Sequence, residues 1–165
     1  MASQTAVADA PARERAGKYL TFSLADEEYG LEILKVREII GVMDITAVPG
    51  TPQFVKGVIN LRGKVVPVLD LRLKFNLPEK QRTEETCIIV VSVGTVETGI
   101  IVDKVSEVMN IAGEDIEDTP SFGANVETDF ILGMGKAGGR VTILLDIDQV
   151  LSGNDFKDIR AAASA

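Results

Sequence analysis

Short apolar runs broken by glycine or proline dominate the chain from Tyr19 onward. They are rich in Val and Ile, which favour β-strands, and no long amphipathic helix pattern separates them. Examples are YLTFSL, KVVPVLDL, TCIIVVSV and RVTILL. The pattern predicts an all-β barrel or sandwich. Short helical turns are expected after Asp70 and Asp146, because each aspartate can cap the turn that follows it.

The two ends of the chain lack this pattern. Residues 1–17 are rich in alanine and polar residues without periodicity, which predicts a flexible tail. The folded region is expected to span residues 18–153. The final stretch, residues 154–165, is predicted to form a C-terminal helix or tail.

An internal repeat divides the folded region. GLEILKVREII (residues 30–40) aligns without gaps with GIIVDKVSEVM (residues 99–109), and residues 54–75 align in the same way with residues 130–151. Self-similarity in the same order indicates two copies of one small β unit. The boundary between the two subdomains is predicted near residues 76–86.

The repeat separates residues that serve the fold from residues that serve a function. Glycines present in both copies, Gly57 with Gly133 and Gly63 with Gly139, predict backbone positions with positive φ or close approach. Arg62 differs, because its counterpart is Gly138. The fold therefore does not require this cation, and we expect Arg62 to bind a carboxylate or carbonyl group on a partner.

Composition excludes several classes of function. The net charge of −8 argues against nucleic acid and against anionic membrane surfaces. The chain has no histidine, which removes histidine-dependent triads, phosphorelays and metal sites. No signal peptide or membrane-spanning run is apparent, and a single cysteine fits a reducing cytoplasm. A cytoplasmic protein without direct membrane insertion is expected.

A carboxylate-dependent enzyme is the main alternative class. Its candidates are Asp70, Asp103, Asp146 and Asp148, but no nucleophile motif, phosphate-binding loop or metal-ligand spacing accompanies them. We interpret these acids as helix caps and solvated turn residues. Cys87 begins an apolar strand and is predicted to be a buried, inert thiol. We therefore expect no catalytic residue, metal or cofactor.

Four segments in succession carry a resemblance to a known family. YGLEILKVREII, then VPGTPQFVKGVINLRGKVVPVLDLRLKF, then GIIVDKVSEV and a terminal ILLDIDQVL together resemble the CheW family of bacterial chemotaxis coupling proteins, over roughly residues 18–152. The resemblance implies two packed SH3-like five-stranded β-barrels without catalytic activity. It also implies two partners, the regulatory domain of the histidine kinase CheA and the cytoplasmic tip of chemoreceptors, in arrays at the inner face of the membrane. An adaptor of a non-chemotactic pathway remains the alternative.

The resemblance also implies site residues. The receptor-binding groove is expected between the barrels, at Val36, Glu38, Arg62, Val105 and Val108. The kinase-binding surface is expected near Gly41 and Gly57, where Gly57→Asp should damage kinase binding or folding and Gly57→Ala should be milder. No function is assigned to the acidic insertion at residues 110–129.

Overall fold

The computed structural model describes residues 16–120 and 129–151, and β-strands dominate this part of the chain, as predicted. Helical structure within it is limited to two single-turn α-helices, α1 (Leu71–Lys74) and α2 (Ile147–Val150), and two 3-10 turns, Ile33–Lys35 and Gly113–Asp115. The predicted tails lie outside the described residues, except that Gly17 already begins the first strand. The described strands are β1 (Gly17–Leu24), β2 (Glu27–Glu32), β3 (Val36–Gly41), β4 (Val55–Leu61), β5 (Lys64–Asp70), β6 (Cys87–Val93), β7 (Val96–Val102), β8 (Lys104–Ile111), β9 (Ile116–Glu117), β10 (Ile131–Ala137) and β11 (Arg140–Leu145).

The strands form two sheets. The central sheet has the order β3-β6-β7-β5-β4, and the flanking sheet has the order β8-β1-β2-β11-β10-β9. The flanking sheet exceeds the expected five strands by β9, which is two residues long. A bridge between Thr46 and Val58 joins the chain beyond β3 to β4, so the two edges of the central sheet approach each other as in a small barrel.

The predicted boundary near residues 76–86 is wrong. β6 and β7 follow this stretch, yet they pair with β3 and β5 in the central sheet. The chain instead passes between the sheets twice, at the 3-10 turn Ile33–Lys35 and at Asp103. The sheets do not coincide with the sequence repeats, because the first hairpin of each repeat pairs with the later strands of the other repeat. These hairpins are β1–β2 and β6–β7.

The exchange follows the same register in both places. β2 pairs in parallel with β11, with Gly30 opposite Leu144, and β7 pairs in parallel with β5, with Gly99 opposite Val68. Gly30 and Gly99 are equivalent in the repeat, as are Val68 and Leu144. Each sheet is therefore built from the first hairpin of one repeat and the last strands of the other.

Three apolar clusters hold this arrangement together. The largest lies between the sheets and takes Leu20, Phe22 and Leu24 from β1 together with Ile89, Val91 and Val93 from β6. The smaller two lie inside the central and flanking sheets, around Ile88 and Val90 and around Tyr19 and Leu144 respectively. β6 is thus buried on both faces, which explains the apolar run from Cys87 to Val91. Each fully buried Leu, Ile or Val contributes about 1.5–3 kcal/mol.

The predicted aspartate caps are present. Oδ1 of Asp70 accepts a hydrogen bond from the backbone N–H of Arg72 (2.9 Å), and Oδ1 of Asp146 accepts hydrogen bonds from the N–H groups of Asp148 (3.1 Å) and Gln149 (3.4 Å). The backbone N–H groups of both aspartates are also bound, to the carbonyls of Phe54 and Phe130 respectively. The two helical turns are therefore fixed in the same way in both repeats.

Replacement of one cap gives a measurable test. We expect Asp146→Ala to lower the free energy of unfolding by about 1 kcal/mol, because two helical N–H groups lose their acceptor. Asp146→Asn keeps an acceptor oxygen and should cost only a few tenths of a kcal/mol. Urea unfolding monitored by circular dichroism measures both. An Asn variant as unstable as the Ala variant would show that the negative charge matters and the cap does not.

Candidate protein-binding site

Arg62 lies in a tight turn that normally selects glycine. Arg62 (φ 53°) and Gly63 (φ 85°) form the two-residue connection between β4 and β5. The equivalent residues of the second repeat, Gly138 and Gly139, have φ values of 58° and 77°. Positive φ at both positions is typical of type I′ hairpin turns. Arg62 therefore occupies a left-handed conformation that costs energy for a residue with a Cβ atom.

The guanidinium of Arg62 is bound within the chain. Its Nη2 donates to Oε2 of Glu38 at 2.7 Å and to Oε1 at 2.9 Å. This hydrogen bond, followed by the negative charge of Glu38, raises the pKa of Arg62. Nε and Nη1 make no hydrogen bond with another described residue, and the side chain is 70% exposed. The structure thus brings together two predicted site residues and leaves donors available to a partner.

Val36 and Val105 lie at equivalent positions on the edge strands of the two sheets. Val36 on β3 pairs with Val91, and Val105 on β8 pairs with Phe22. Both valines are partly buried against the cluster between the sheets. Both side chains thus pack toward the space between the sheets, and their role in receptor binding stays a prediction.

Val108 and Ile39 extend this apolar surface. Val108 pairs with Leu20 and is 50% exposed, and its repeat equivalent Ile39 pairs with Ile89 and is 45% exposed. Side chains of directly paired residues share one face of a sheet. Both residues thus lie on the side of their strands that faces the cluster between the sheets. Sequence reasoning missed Ile39, although its alignment with Val108 was the signal that could have found it.

Glu38 projects from the opposite side of β3. It pairs with Val90, whose side chain belongs to the cluster inside the central sheet. The structure therefore does not place the Glu38–Arg62 pair on the face that carries Val36 and Ile39. Of the aliphatic residues, Val36 and Ile39 share strand β3 with Glu38, whereas Val105 and Val108 lie on β8 of the flanking sheet. We call this set the edge-strand surface: Val36, Glu38, Ile39, Arg62, Val105 and Val108.

Gly41 and Gly57 differ in accessibility. Gly41 ends β3, is exposed, and has no atom within 4 Å of where a Cβ would lie. Gly57 is buried at φ 139°, and a Cβ there would lie 2.0 Å from the carbonyl oxygen of Thr46. Gly57 therefore supports the exposed segment at Thr46 and Ala47 and offers no surface of its own.

Three further exposed aliphatic residues were not identified from the sequence. Leu34, in the turn between the sheets, is 93% exposed. Val65 on β5 and its repeat equivalent Val141 on β11 are about half exposed. Valine at both repeat positions suggested a role in the fold, so nothing in the pattern indicated solvent exposure.

The candidate catalytic groups are all engaged in structural contacts. Asp70 and Asp146 are caps, and Asp148 accepts a hydrogen bond from Lys35 at 3.0 Å. The interpretation of Asp103 as a solvated turn residue is wrong, because its side chain is only 15% exposed and binds Arg72. Burial raises the pKa of the half-buried Cys87 thiol, which disfavours the reactive thiolate.

Two properties of the described residues bear on other kinds of site. Across residues 16–120 and 129–151, no group of His, Cys, Asp and Glu side chains is arranged to hold a metal ion. Helices in the same ranges are too short to cross a lipid bilayer.

Comparison with known proteins places these features in a family. The CheW-like domain profile matches residues 18–155. The protein "Chemotaxis protein CheW" of Klebsiella aerogenes is 42% identical over 139 residues, which is 84% of each chain. The protein of the same name from Bacillus subtilis is 37% identical over 81% of this chain and 86% of its own.

A solved structure agrees with the sequence relatives. The scaffolding protein TtCheW of Thermoanaerobacter tengcongensis superposes with a TM-score of 0.77 at 36% identity, over 85% of this chain and 95% of its own. The two packed sheets accordingly form the SH3-like subdomains expected from the sequence. The chain belongs to the CheW-like domain family, and it is a non-enzymatic scaffold protein of chemotaxis.

Proposed function

We propose that this protein couples chemoreceptors to the histidine kinase CheA, with the receptor tip on the edge-strand surface and the kinase regulatory domain on the central sheet. The observation that carries the receptor site is the pairing of exposed aliphatic residues with a charged pair on the edge strands. Val108 and Ile39 are each about half exposed, and Arg62, bound to Glu38 at the edge of β3, keeps donors that no other described residue binds. Apolar contact with a few charged hydrogen bonds is the usual composition of a binding hot spot.

The conformation of Arg62 supports a binding role. A non-glycine residue at φ 53° persists where glycine would fit without strain, and the second repeat has glycine there. Strained backbone of this kind is concentrated at functional positions. The turn and the Glu38 carboxylate together restrict the guanidinium, so less side-chain entropy is lost when a partner binds.

The kinase surface would lie on the central sheet near Gly41 and the Thr46–Ala47 segment. Gly41 is exposed, whereas Gly57 acts from beneath by allowing Thr46 to approach β4. Through this placement Gly57 contributes to kinase binding by holding the segment in position. Binding both partners in the cytoplasm would anchor the protein to receptor arrays at the inner face of the membrane.

Substitution of Arg62 tests the receptor site. We expect Arg62→Ala to weaken binding to a receptor cytoplasmic fragment about ten- to a hundred-fold, because a charged hydrogen bond is lost at a partly desolvated interface. Arg62→Gly should weaken it equally without lowering the Tm, since glycine suits the turn. Arg62→Lys should restore only part of the affinity, because the planar fork is lost. Isothermal titration calorimetry measures each variant against receptor fragment and CheA regulatory domain separately.

Lys136→Ala provides the matched control. Lys136 is a half-exposed cation on β10 that pairs with Glu117, so its removal changes the net charge by the same amount on the flanking sheet. Receptor binding by this variant should change less than twofold, and kinase binding should be spared in both variants. Normal receptor affinity in a well-folded Arg62→Gly protein would refute the proposed receptor site.

A further inference from the structure

A cleft of about 790 Å³ lies at the opposite end of the β4–β5 hairpin from Arg62. It is bordered by Lys56 near the start of β4, by the loop over residues 79–86 and by Asp103 at the crossing between the sheets. Arg62 follows Lys56 by six positions along the strand, so at about 3.3 Å per residue these two residues are roughly 20 Å apart. Asp103 lies only two residues before Val105, so the cleft adjoins the β8 part of the edge-strand surface and is remote from Arg62 alone.

Internal ion pairs neutralise part of the charge in this cleft. Lys56 pairs with Glu79, and Arg72 pairs with Asp103. Nη1 of Arg72 also donates to the carbonyl of Pro78 (2.8 Å), which anchors the start of the loop. Two cations of the cleft, Lys80 and Arg82, make no hydrogen bond or ion pair with another described residue, and both are exposed.

A smaller pocket of about 300 Å³ continues the cleft and shares Lys80 and Asp103 with it. Its lining adds Lys104, which pairs with Glu85, and Arg140, which has no such partner among the described residues. Within residues 16–120 and 129–151, the cations that lack a hydrogen bond or ion pair to a described residue are Lys18, Arg37, Lys80, Arg82 and Arg140. Three of these five lie on one surface, which we call the basic cleft: Lys80, Arg82 and Arg140.

The lining of the cleft defines the kind of ligand. Ile101 is the one apolar residue among the ten that line the larger pocket, whereas sites for cofactors and small molecules are predominantly apolar. A nucleic acid would carry many phosphates past a protein with a net charge of −8. Asp26 and Asp70 also line the two pockets, so six cations face five carboxylates there. The cleft therefore offers a short segment with a few carboxylates only the cations that have no internal partner.

We propose that the basic cleft binds an acidic segment of a protein partner, at a site remote from Arg62. The guanidinium groups of Arg82 and Arg140 can each bind a carboxylate through two parallel hydrogen bonds, and Lys80 lies where the two pockets join. The Arg72–Asp103 pair holds the floor of the cleft and the base of the loop in place.

A fluorescent peptide with glutamate at alternate positions tests this proposal with the full-length protein. Fluorescence anisotropy should show binding of this peptide and none of the same peptide with glutamine in place of glutamate. Lys80→Gln/Arg82→Gln should weaken binding about tenfold, since each exposed pair contributes about 0.2–1 kcal/mol and tenfold corresponds to about 1.4 kcal/mol. Lys18→Gln/Arg37→Gln removes two equally unpaired cations elsewhere and should change the affinity less than twofold.

Three outcomes of this experiment would overturn the proposal. No measurable binding of the glutamate peptide, or equal weakening in both double variants, would show that the cleft has no specific role. Equal competition by a single-stranded oligonucleotide would show a general polyanion surface. The assay contains no receptor or kinase, so its failure is distinguishable from failure of the proposed coupling function.

Discussion

Gly57→Asp should leave the protein largely unfolded at room temperature. A Cβ at this position would lie 2.0 Å from the carbonyl oxygen and 2.6 Å from the carbonyl carbon of Thr46. Both are backbone atoms, and no side-chain rotation can relieve the collision. Thr46 would have to leave Val58, with loss of the hydrogen bonds at 2.8 and 2.9 Å that join the edges of the central sheet. Burial of an unpaired carboxylate at φ 139° adds further cost. The sum is expected to exceed about 5 kcal/mol, the lower end of typical domain stability.

The collision also changes the expectation for alanine. Gly57→Ala brings the same Cβ and is milder only because it buries no charge, so we expect a loss of about 3 kcal/mol. Gly41→Ala is the matched control, because its Cβ would meet no atom within 4 Å. Its effect should stay within about 0.5 kcal/mol. Urea unfolding measures all three variants, and a Gly57→Ala protein as stable as wild type would disprove the steric account.

Asp103→Asn should lower the free energy of unfolding by about 3 kcal/mol. Arg72 donates from Nε and Nη2 to the two carboxylate oxygens of Asp103, each at 2.7 Å, and the side chains are only 11% and 15% exposed. The same carboxylate accepts the N–H of Ala25 in the β1–β2 turn. Loss of the charge leaves Arg72 largely buried without its counterion, which is the costly way to break such a pair. The pair joins α1 of the central sheet to a turn of the flanking sheet, so both sheets should be affected together.

The pH dependence provides an independent measurement of this pair. Burial of Asp103 opposes its ionisation, but the hydrogen bonds from Arg72 and Ala25 and the charge of Arg72 outweigh it and lower its pKa. A carboxyl group with a lowered pKa stabilises the fold above its unfolded value of about 3.9 and loses this contribution as the pH falls through the folded value. Wild type should therefore lose stability below about pH 4 more steeply than Asp103→Asn does.

The other crossing between the sheets, at the 3-10 turn Ile33–Lys35, offers a control. Lys35 pairs with Asp148 at 3.0 Å, but these side chains are 35% and 46% exposed. Asp148→Asn should cost less than about 1 kcal/mol, as exposed pairs usually do. Chemical denaturation at pH 7 compares the two variants. Equal losses at the two crossings would show that burial is not what makes the Arg72–Asp103 pair important.

The strands and the caps could be predicted from the sequence because each depends on a local pattern, and the repeat could be read from it directly. Asp70 and Asp146 cap their helical turns as expected, and the glycine-pinned turn at Gly63 recurs at Gly139. Hairpin exchange could not be predicted, because two similar units can pair their first hairpins either within a unit or across units. The parallel pairings of Gly30 with Leu144 and of Gly99 with Val68 distinguish these arrangements.

Comparison of the two repeats identified a candidate site, but a difference between the repeats did not always indicate a binding role. It selected Arg62 because Gly138 stands opposite, and the structure shows Arg62 in a strained turn beside Glu38. The same comparison sets Arg72 against Asp148 and Asp103 against Leu34. Arg72 and Asp103 nevertheless serve the fold. Residues that differ between the repeats can thus stabilise contacts between the two sheets. Such contacts involve both repeats, so comparison of one repeat with the other does not reveal them.

Hairpin exchange has a consequence for the order in which the chain can fold during synthesis. The β1–β2 hairpin leaves the ribosome first, yet its partner β8 follows all the central strands, and its partner β11 is the last of the described strands. Roughly a hundred residues separate Glu32 from Leu145, so at about 5–20 residues per second the hairpin waits on the order of ten seconds for its sheet. The central sheet, by contrast, is complete once Val102 has emerged. Nascent chains should therefore acquire protease resistance in the central sheet while the N-terminal hairpin is still cleavable.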